Sequence, residues 1–446
     1  MDEKTVAYRA SLLHFANDPA WNDNAFQWHE DGLLLVQGSC VQAAGDYHQL
    51  ASELPADAKI IDYRGKLIVP GFIDTHIHYP QTDIIASPSS GLLPWLDDHT
   101  FPGERAFADP AHAAKVATFF LDELLRCGTT TAMVYCTVHP ESAEAFFQES
   151  DARNLRMIAG KALMDRNCPP YLRDTAEGGI LESEQLLKKW HGHRRQMYAI
   201  TPRFAASSTD TQLRLAGELA QAHPEAFVQT HVAENRDEVA WIKELFPDAR
   251  SYLDVYDHVG LMRPRAMYAH CIWLDDHDRR RMAETRSAAA ICPTSNLFLG
   301  SGLFDFASAD AIRMPLTLAT DVGGGTSFSM LRTMNELYKV ARMGGVHLPA
   351  MRMFYLATLG GARGLQLEGT IGNFALGAEA DFIVLDPQST PLLARRTTQA
   401  GSLEELLFAF AMLGDDRAVA ATYAAGCLVH ARDAASLTIS EAPGNH

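Results

Sequence analysis

Two histidines separated by one residue, His76 and His78, close an apolar run that starts at Pro70-Gly71. Alternate side chains of an extended strand share a face, so both imidazoles can reach one ion at about 2.0–2.1 Å. Farther along, Arg203 and Phe204, His231 and Glu234, His270, and Asp321 each follow an apolar run directly, Asn296 falls in the loop after another, and Gln81 lies just past His78. Taken singly, each has an ordinary explanation. A histidine ending a strand is commonly a satisfied core residue. Asp321 can cap a helix starting near Ser327, Glu234 can sit in a first helical turn, and Arg203 can be a surface arginine. Six such coincidences at one rim are less economical than one site. Three histidines and a carboxylate around an open position describe a catalytic metal centre, expected here from His76, His78, His231 and Asp321. Such a centre brings a bound water to a pKa near about 7.

These residues need elements that bring them to one rim. Eight short apolar runs read as strands: Gly71–His76, Thr129–Tyr135, Arg156–Leu163, Met197–Phe204, Ala226–His231, Ala266–Cys271, Ala288–Cys292 and Pro315–Thr320. Amphipathic patterns over Ala111–Arg126, Thr211–His223 and Asp237–Leu245 run between them, and Met330–Met343 follows the last. The alternation predicts an α/β protein whose parallel strands and crossover helices close as a (β/α)₈ TIM-type barrel, with its site at the C-terminal strand ends. An open doubly wound sheet is the alternative, but no Gly-x-Gly-x-x-Gly follows the first strand. The ends of the chain are different. Ala7–Phe15, Gly32–Gln37, Ser39–Ala43 and Lys59–Tyr63 at one end, and Ala380–Asp386 and Val419–His430 at the other, read as strands. They predict a smaller β-sandwich domain built from both termini, from residues 1–65 and 366–446, around a catalytic unit of residues 66–365.

At 446 residues, 47% apolar and 21% charged, the chain has the composition of a globular enzyme. A net charge of −17 argues against nucleic acid or an anionic membrane as a partner. The start, Met1-Asp2-Glu3-Lys4, lacks the basic and apolar regions of a signal peptide, and the seven scattered cysteines contain no Cys-x-x-Cys. The expectation is a cytoplasmic protein with reduced thiols. Apolar runs such as Leu403–Leu413 suggest a homodimer.

Other candidates carry less. His139-Pro140-Glu141 and His223-Pro224-Glu225 match the His-x-Glu of another zinc-deaminase fold, but its Pro-Cys-x-x-Cys is absent. Gly323-Gly324-Gly325 lacks the Lys-Ser/Thr of a phosphate loop and reads as room for close backbone approach. Ser207-Ser208 lacks a nucleophile elbow, and His191-Gly192-His193 has no third ligand nearby.

The set His76-x-His78, His231, His270 and Asp321 resembles the amidohydrolase superfamily, in particular its mononuclear-zinc deaminase branch, and within it the guanine deaminases. The finer likeness rests on Gly71–Gln81, Leu93-Pro94-Trp95-Leu96, Thr100-Phe101-Pro102, Pro202-Arg203-Phe204, Gln229–Asn235, Cys292–Gly302 and Ala319–Gly325. The resemblance implies hydrolysis of guanine to xanthine and ammonia in purine metabolism, with one zinc per chain. It implies that Gln81 and Arg203 read the polar edge of the purine, Arg203 donating to the C6 carbonyl oxygen. Phe204 and Trp95 then supply apolar walls, a role that competes with plain packing. His78, His231, Glu234 and Asp321 also face the substrate.

The chemistry follows from the residues as well. Replacing an exocyclic ring amine needs an ionised water, a proton for the neighbouring ring nitrogen, and departure of ammonia. Glu234 is placed to shuttle protons, Asp321 to act as base, and His270 to stabilise the tetrahedral centre. Another aminopurine, a pterin or an s-triazine is the competing substrate, and a metal-free binding relative is the competing class. A binuclear amide hydrolase needs a lysine or bridging carboxylate at a middle strand end; Lys161 lies inside its run instead.

Overall fold

The computed structural model describes residues 5–54, 58–433 and 438–441. Four strands open the chain: β1 (Thr5–Phe15), β2 (Phe26–Gln37), β3 (Cys40–Asp46) and β4 (Lys59–Pro70). Then come β5 (Phe72–His78), β6 (Thr129–Tyr135), β7 (Arg156–Gly160), β8 (Ala162–Leu163) and β9 (Gln196–Pro202). They are followed by β10 (Phe227–Val232), β11 (Ala266–His270), β12 (Ala288–Ile291) and β13 (Leu316–Leu318). The last are β14 (Phe382–Leu385), β15 (Val419–Ala424), β16 (Cys427–Ala431) and β17 (Thr438–Glu441).

The barrel is β5-β6-β7-β9-β10-β11-β12-β13, every pair parallel, with β8 as a short extension against β9. Its strands are almost wholly buried and rich in Ala, Val, Ile and Met, as strands covered on both faces must be. The helices outside bury one stripe each. Met330–Met343 starts behind the Ser329 cap and buries Met330, Met334, Leu337 and Ala341.

The seam between the last strand and the first is closed differently from the other pairs. Asp321 N–H donates to the His76 carbonyl (3.0 Å), and His78 N–H donates to the Val322 carbonyl (2.8 Å). Behind them the buried Asp74 carboxylate accepts from Thr320 N–H (3.1 Å) and Thr320 Oγ1 (2.5 Å). Thr75 Oγ1 meets Thr317 Oγ1 at 2.7 Å. Burial, eased only in part by these bonds, pushes the Asp74 pKa up to about 7.

The terminal strands form one continuously hydrogen-bonded sheet, β16-β15-β14-β4-β1-β2-β3, with β17 also on β4. The expected sandwich takes this form, with apolar residues on both faces. Tyr8, Leu34, Ile68, Phe382 and Tyr423 fill one, while Leu13, Phe15, Leu67 and Val69 join the barrel core. β4 is longer than the sequence suggests. It passes Gly65 (φ +81°) and runs to Pro70, so Leu67–Val69 belong to this sheet and not to the barrel.

Two readings change. The third barrel run breaks at Lys161, directly past the end of β7, where its buried ammonium pairs with Asp174 (2.8 Å) and Glu182 (3.3 Å). Helix Leu403–Leu413 buries Leu407, Ala409, Phe410 and Ala411 in its own chain, which leaves only the partly buried Leu403, Leu406, Phe408 and Met412 and the exposed Leu413 for a second copy.

Candidate active site and metal centre

β5 ends in His76 and His78, and its two-residue period points both rings into the barrel mouth. Their Nε2 atoms lie 3.2 Å apart, and His231 Nε2 of β10 is 3.2 Å from that of His78. Asp321, just past β13, places Oδ1 3.2 Å from His76 Nε2 and 3.3 Å from His78 Nε2. Four donors set tetrahedrally about 2.05 Å from one centre stand roughly 3.3 Å from each other. These spacings therefore suit an ion and not a hydrogen-bonded cluster, since imidazole nitrogens facing one another as lone pairs repel. His231 Nδ1–H donates to the Arg203 carbonyl (2.5 Å), which leaves Nε2 as the free lone pair.

The electrostatics agree. Burial drives the His78 pKa down to about 3, and burial with the neighbouring imidazoles holds His231 well below its ordinary value. Burial alone would raise Asp321, but His76 and His78 facing it hold it well below the usual carboxylate range. Neutral imidazoles and an ionised carboxylate are the ligand forms a metal needs. A second set, His76, His270, Cys292 and Asp321, also gathers four donors, but burial pushes the Cys292 thiol up and away from the thiolate that binds metal.

The residues of the first set expected to bind an ion, His76, His78, His231 and Asp321, thus come together. His270 stands beside them. Its Nδ1–H donates to Asn296 Oδ1 (2.8 Å), and its Nε2 faces Glu234 Oε2 (3.3 Å) and Asp321 Oδ2 (3.8 Å) without an aligned hydrogen bond to either. Glu234 is not a helical residue. The helix Arg236–Leu245 is capped by Asn235, with Glu238 closing the capping box. Glu234 Oε1 accepts from Ser301 Oγ (2.8 Å), and burial beside Asp321 pushes its pKa up to about 8. Asp321 likewise caps no helix, because Ser329 caps the helix that follows.

A small cavity over the ion-binding set is lined by His78, Gln81, Trp95, Arg203, Phe204, His231, Glu234, Glu238, His270, Asp321 and Gly324, with Leu92, Leu96 and Leu299 as apolar wall. Trp95 donates its indole N–H to the Ser87 carbonyl (3.2 Å), and Phe204 packs on Trp241. A larger cavity of about 990 Å³ lies among the outer helices around Leu213, Phe246 and Val259 and holds none of these polar residues. The glycine run serves Gln81: a side-chain carbon on Gly323 would come within 2.6 Å of the Gln81 carbonyl oxygen, and Gly323 N–H donates to Gln81 Oε1 (3.2 Å). His139 heads a helix and His191 accepts from Tyr198 N–H, both elsewhere.

One residue escaped the sequence reading. Glu104, buried at the end of the helix Phe101–Glu104, accepts from Arg203 Nη1 with both oxygens (2.9 and 2.8 Å) and from Gln81 Nε2 (3.3 Å). Its position two residues after Thr100-Phe101-Pro102 was the only available signal.

The amidohydrolase family profile matches residues 67–429. The chain is 48% identical to the guanine deaminase of Escherichia coli K12 over 410 residues, 92% of this chain and 93% of that one. A solved structure of E. coli guanine deaminase superposes with a TM-score of 0.93 at 45% identity, covering 97% of this chain and all of the other. Guanine deaminase from C. acetobutylicum, solved with guanine in its active site, gives 0.85 at 25% identity, covering 96% and 100%.

Proposed function

The chain belongs to the amidohydrolase family, and from that premise we propose that it hydrolyses guanine to xanthine and ammonia with one zinc per chain. The observation that carries this reading is a single cavity joining an ion-binding set, a buried carboxylate and a donor-rich edge. His76, His78, His231 and Asp321 would hold the zinc, which supplies an ionised water nucleophile near neutral pH. We assign the remaining work to the chain's own side chains.

Gln81 and Arg203 bind the polar edge of the base, Arg203 donating to the C6 carbonyl oxygen. Phe204 and Trp95 form walls that exclude bulk water. Asp321 takes a proton from the attacking water. Glu234, held at Oε1 by Ser301, carries a proton on Oε2 to the ring nitrogen beside the attacked carbon. The new carbon–oxygen bond forms, the carbon–amine bond breaks, the water's second proton leaves on ammonia, and the proton held by Asp321 passes back to Glu234 for the next turnover. His270, turned by Asn296, steadies the tetrahedral centre. The catalytic unit is residues 71–365, a start moved from 66 because β4 runs to Pro70, with residues 1–70 and 366–446 as its flanking domain.

The decisive assay is ammonia release by zinc-loaded protein from guanine, set against adenine, cytosine, a pterin and an s-triazine. Release from guanine is the expected result. Release from another ring alone keeps the metal chemistry and overturns the substrate, and a metal content near zero in the active protein overturns the zinc. The reading also includes a cytoplasmic homodimer. Seven cysteines free of disulfides support a reducing compartment, and no described helix is long and apolar enough to cross a membrane. Sedimentation measures the oligomeric state.

A further inference from the structure

Gln81 and Arg203 share an acidic partner that does not line the cavity. Glu104 takes Arg203 Nη1 between its two oxygens and also accepts from Gln81 Nε2. Gln81 Oε1 is occupied from the other side by Gly323 N–H. A carboxylate can only accept and a backbone N–H can only donate, so these two contacts fix which end of the Gln81 amide points where. Its second Nε2 hydrogen, and the Nε and Nη2 of Arg203, have no protein partner among the described residues. Both residues line the cavity. The hydrogen-bonding groups these two side chains have left for a ligand are therefore chiefly N–H donors.

We propose that Glu104 is a specificity-determining positioning residue: by orienting Gln81 and pairing Arg203 it turns this wall of the cavity into a donor edge, which accepts a ring bearing a carbonyl oxygen and rejects the same ring bearing an amine there. The inference rests on the assignment of guanine as substrate. The discriminating pair is guanine and 2,6-diaminopurine, which carry the same reactive 2-amine but differ at position 6, oxygen in one and amine in the other. An amine against fixed donors leaves both sides unpaired in a buried setting, the arrangement that gives hydrogen-bonding sites their strongest discrimination. The pairing also leaves Arg203 neutralised, suited to an uncharged base.

The test is Glu104→Gln. An amide at 104 can donate as well as accept and carries no charge, so only the Gly323 N–H still orients the Gln81 amide and Arg203 loses its anionic partner, which loosens the donor edge. Zinc content and melting temperature are measured alongside kcat and KM for both purines. The ratio of kcat/KM for guanine to that for 2,6-diaminopurine is expected to fall by about tenfold or more, chiefly because guanine suffers. Glu104→Asp, which keeps the charge for Arg203 but shortens the reach to Gln81, is expected to give an intermediate ratio and serves if the glutamine variant does not fold. A proportional loss on both purines, with the ratio unchanged, would mean a merely structural role and overturn the proposal. So would a wild-type protein that turns over both equally well. A wild-type protein inactive on guanine would instead overturn the substrate assignment itself.

Discussion

At the scale of single residues, the proposed proton carrier is the sharpest point of attack. Glu234 touches no ion-binding nitrogen, so Glu234→Gln should keep its zinc while kcat falls about 10²–10⁴-fold. Metal analysis beside steady-state rates reads both, and an active variant would remove Glu234 from the reaction. The ion-free protein adds a pH signature. Glu234 ionises near 4.5 ordinarily but at about 8 in the fold, because it is buried beside Asp321. Below the lower value, folded and unfolded chains both hold the proton. Between the two values only the folded chain keeps it, so stability falls as pH rises. Melting curves of chelator-treated protein should show Glu234→Gln gaining on wild type from about pH 5 to about pH 8, and parallel curves would contradict the assignment. The candidate site residues could be picked out because most of them stand at or just past the end of an apolar run. Glu104 could not, since a glutamate in a connecting excursion looks like any solvated one; only the fold buries it against Arg203.

At the scale of elements, the join between β13 and β5 has no ladder of its own and is bridged by polar groups. Thr320→Val keeps the shape but removes the hydroxyl donated to the buried Asp74. It should cost about 1–3 kcal/mol in denaturant unfolding and weaken zinc retention, because Asp321 follows directly. Unchanged zinc affinity would separate the seam from the site. The strands themselves could be read from apolar runs, and the helix over Met330–Met343 from its 3.6-residue period. What could not be read was continuity. Lys161 sits inside an apolar stretch, yet its side chain must leave the barrel for Asp174 and Glu182, and the strand breaks to let it. β4 bulges at Gly65, where its pairing with β1 breaks off after Asp62 and resumes at Leu67, and sequence pattern alone places a boundary at that glycine.

At the scale of the whole molecule, the sheet from the termini is bolted to the lower end of the barrel. Glu379 pairs with Arg156 at the start of β7 and with Arg195 just before β9, and Asp381 also meets Arg195. Glu379→Ala leaves the mostly buried Arg156 with no carboxylate and Arg195 with Asp381 alone, and should cost about 3 kcal/mol. Unfolding is expected to remain one transition; two would mean that sheet and barrel melt independently. The continuity of that sheet has a consequence for biosynthesis. β4 lies between β1, made moments earlier, and β14, made only after the entire barrel. While the ribosome works through the barrel, one edge of β4 waits open beside its apolar neighbours, the kind of edge that recruits stray strands. Completing this enzyme therefore depends on the tail returning to the head, and the nascent chain is most exposed to misassociation just before it is released.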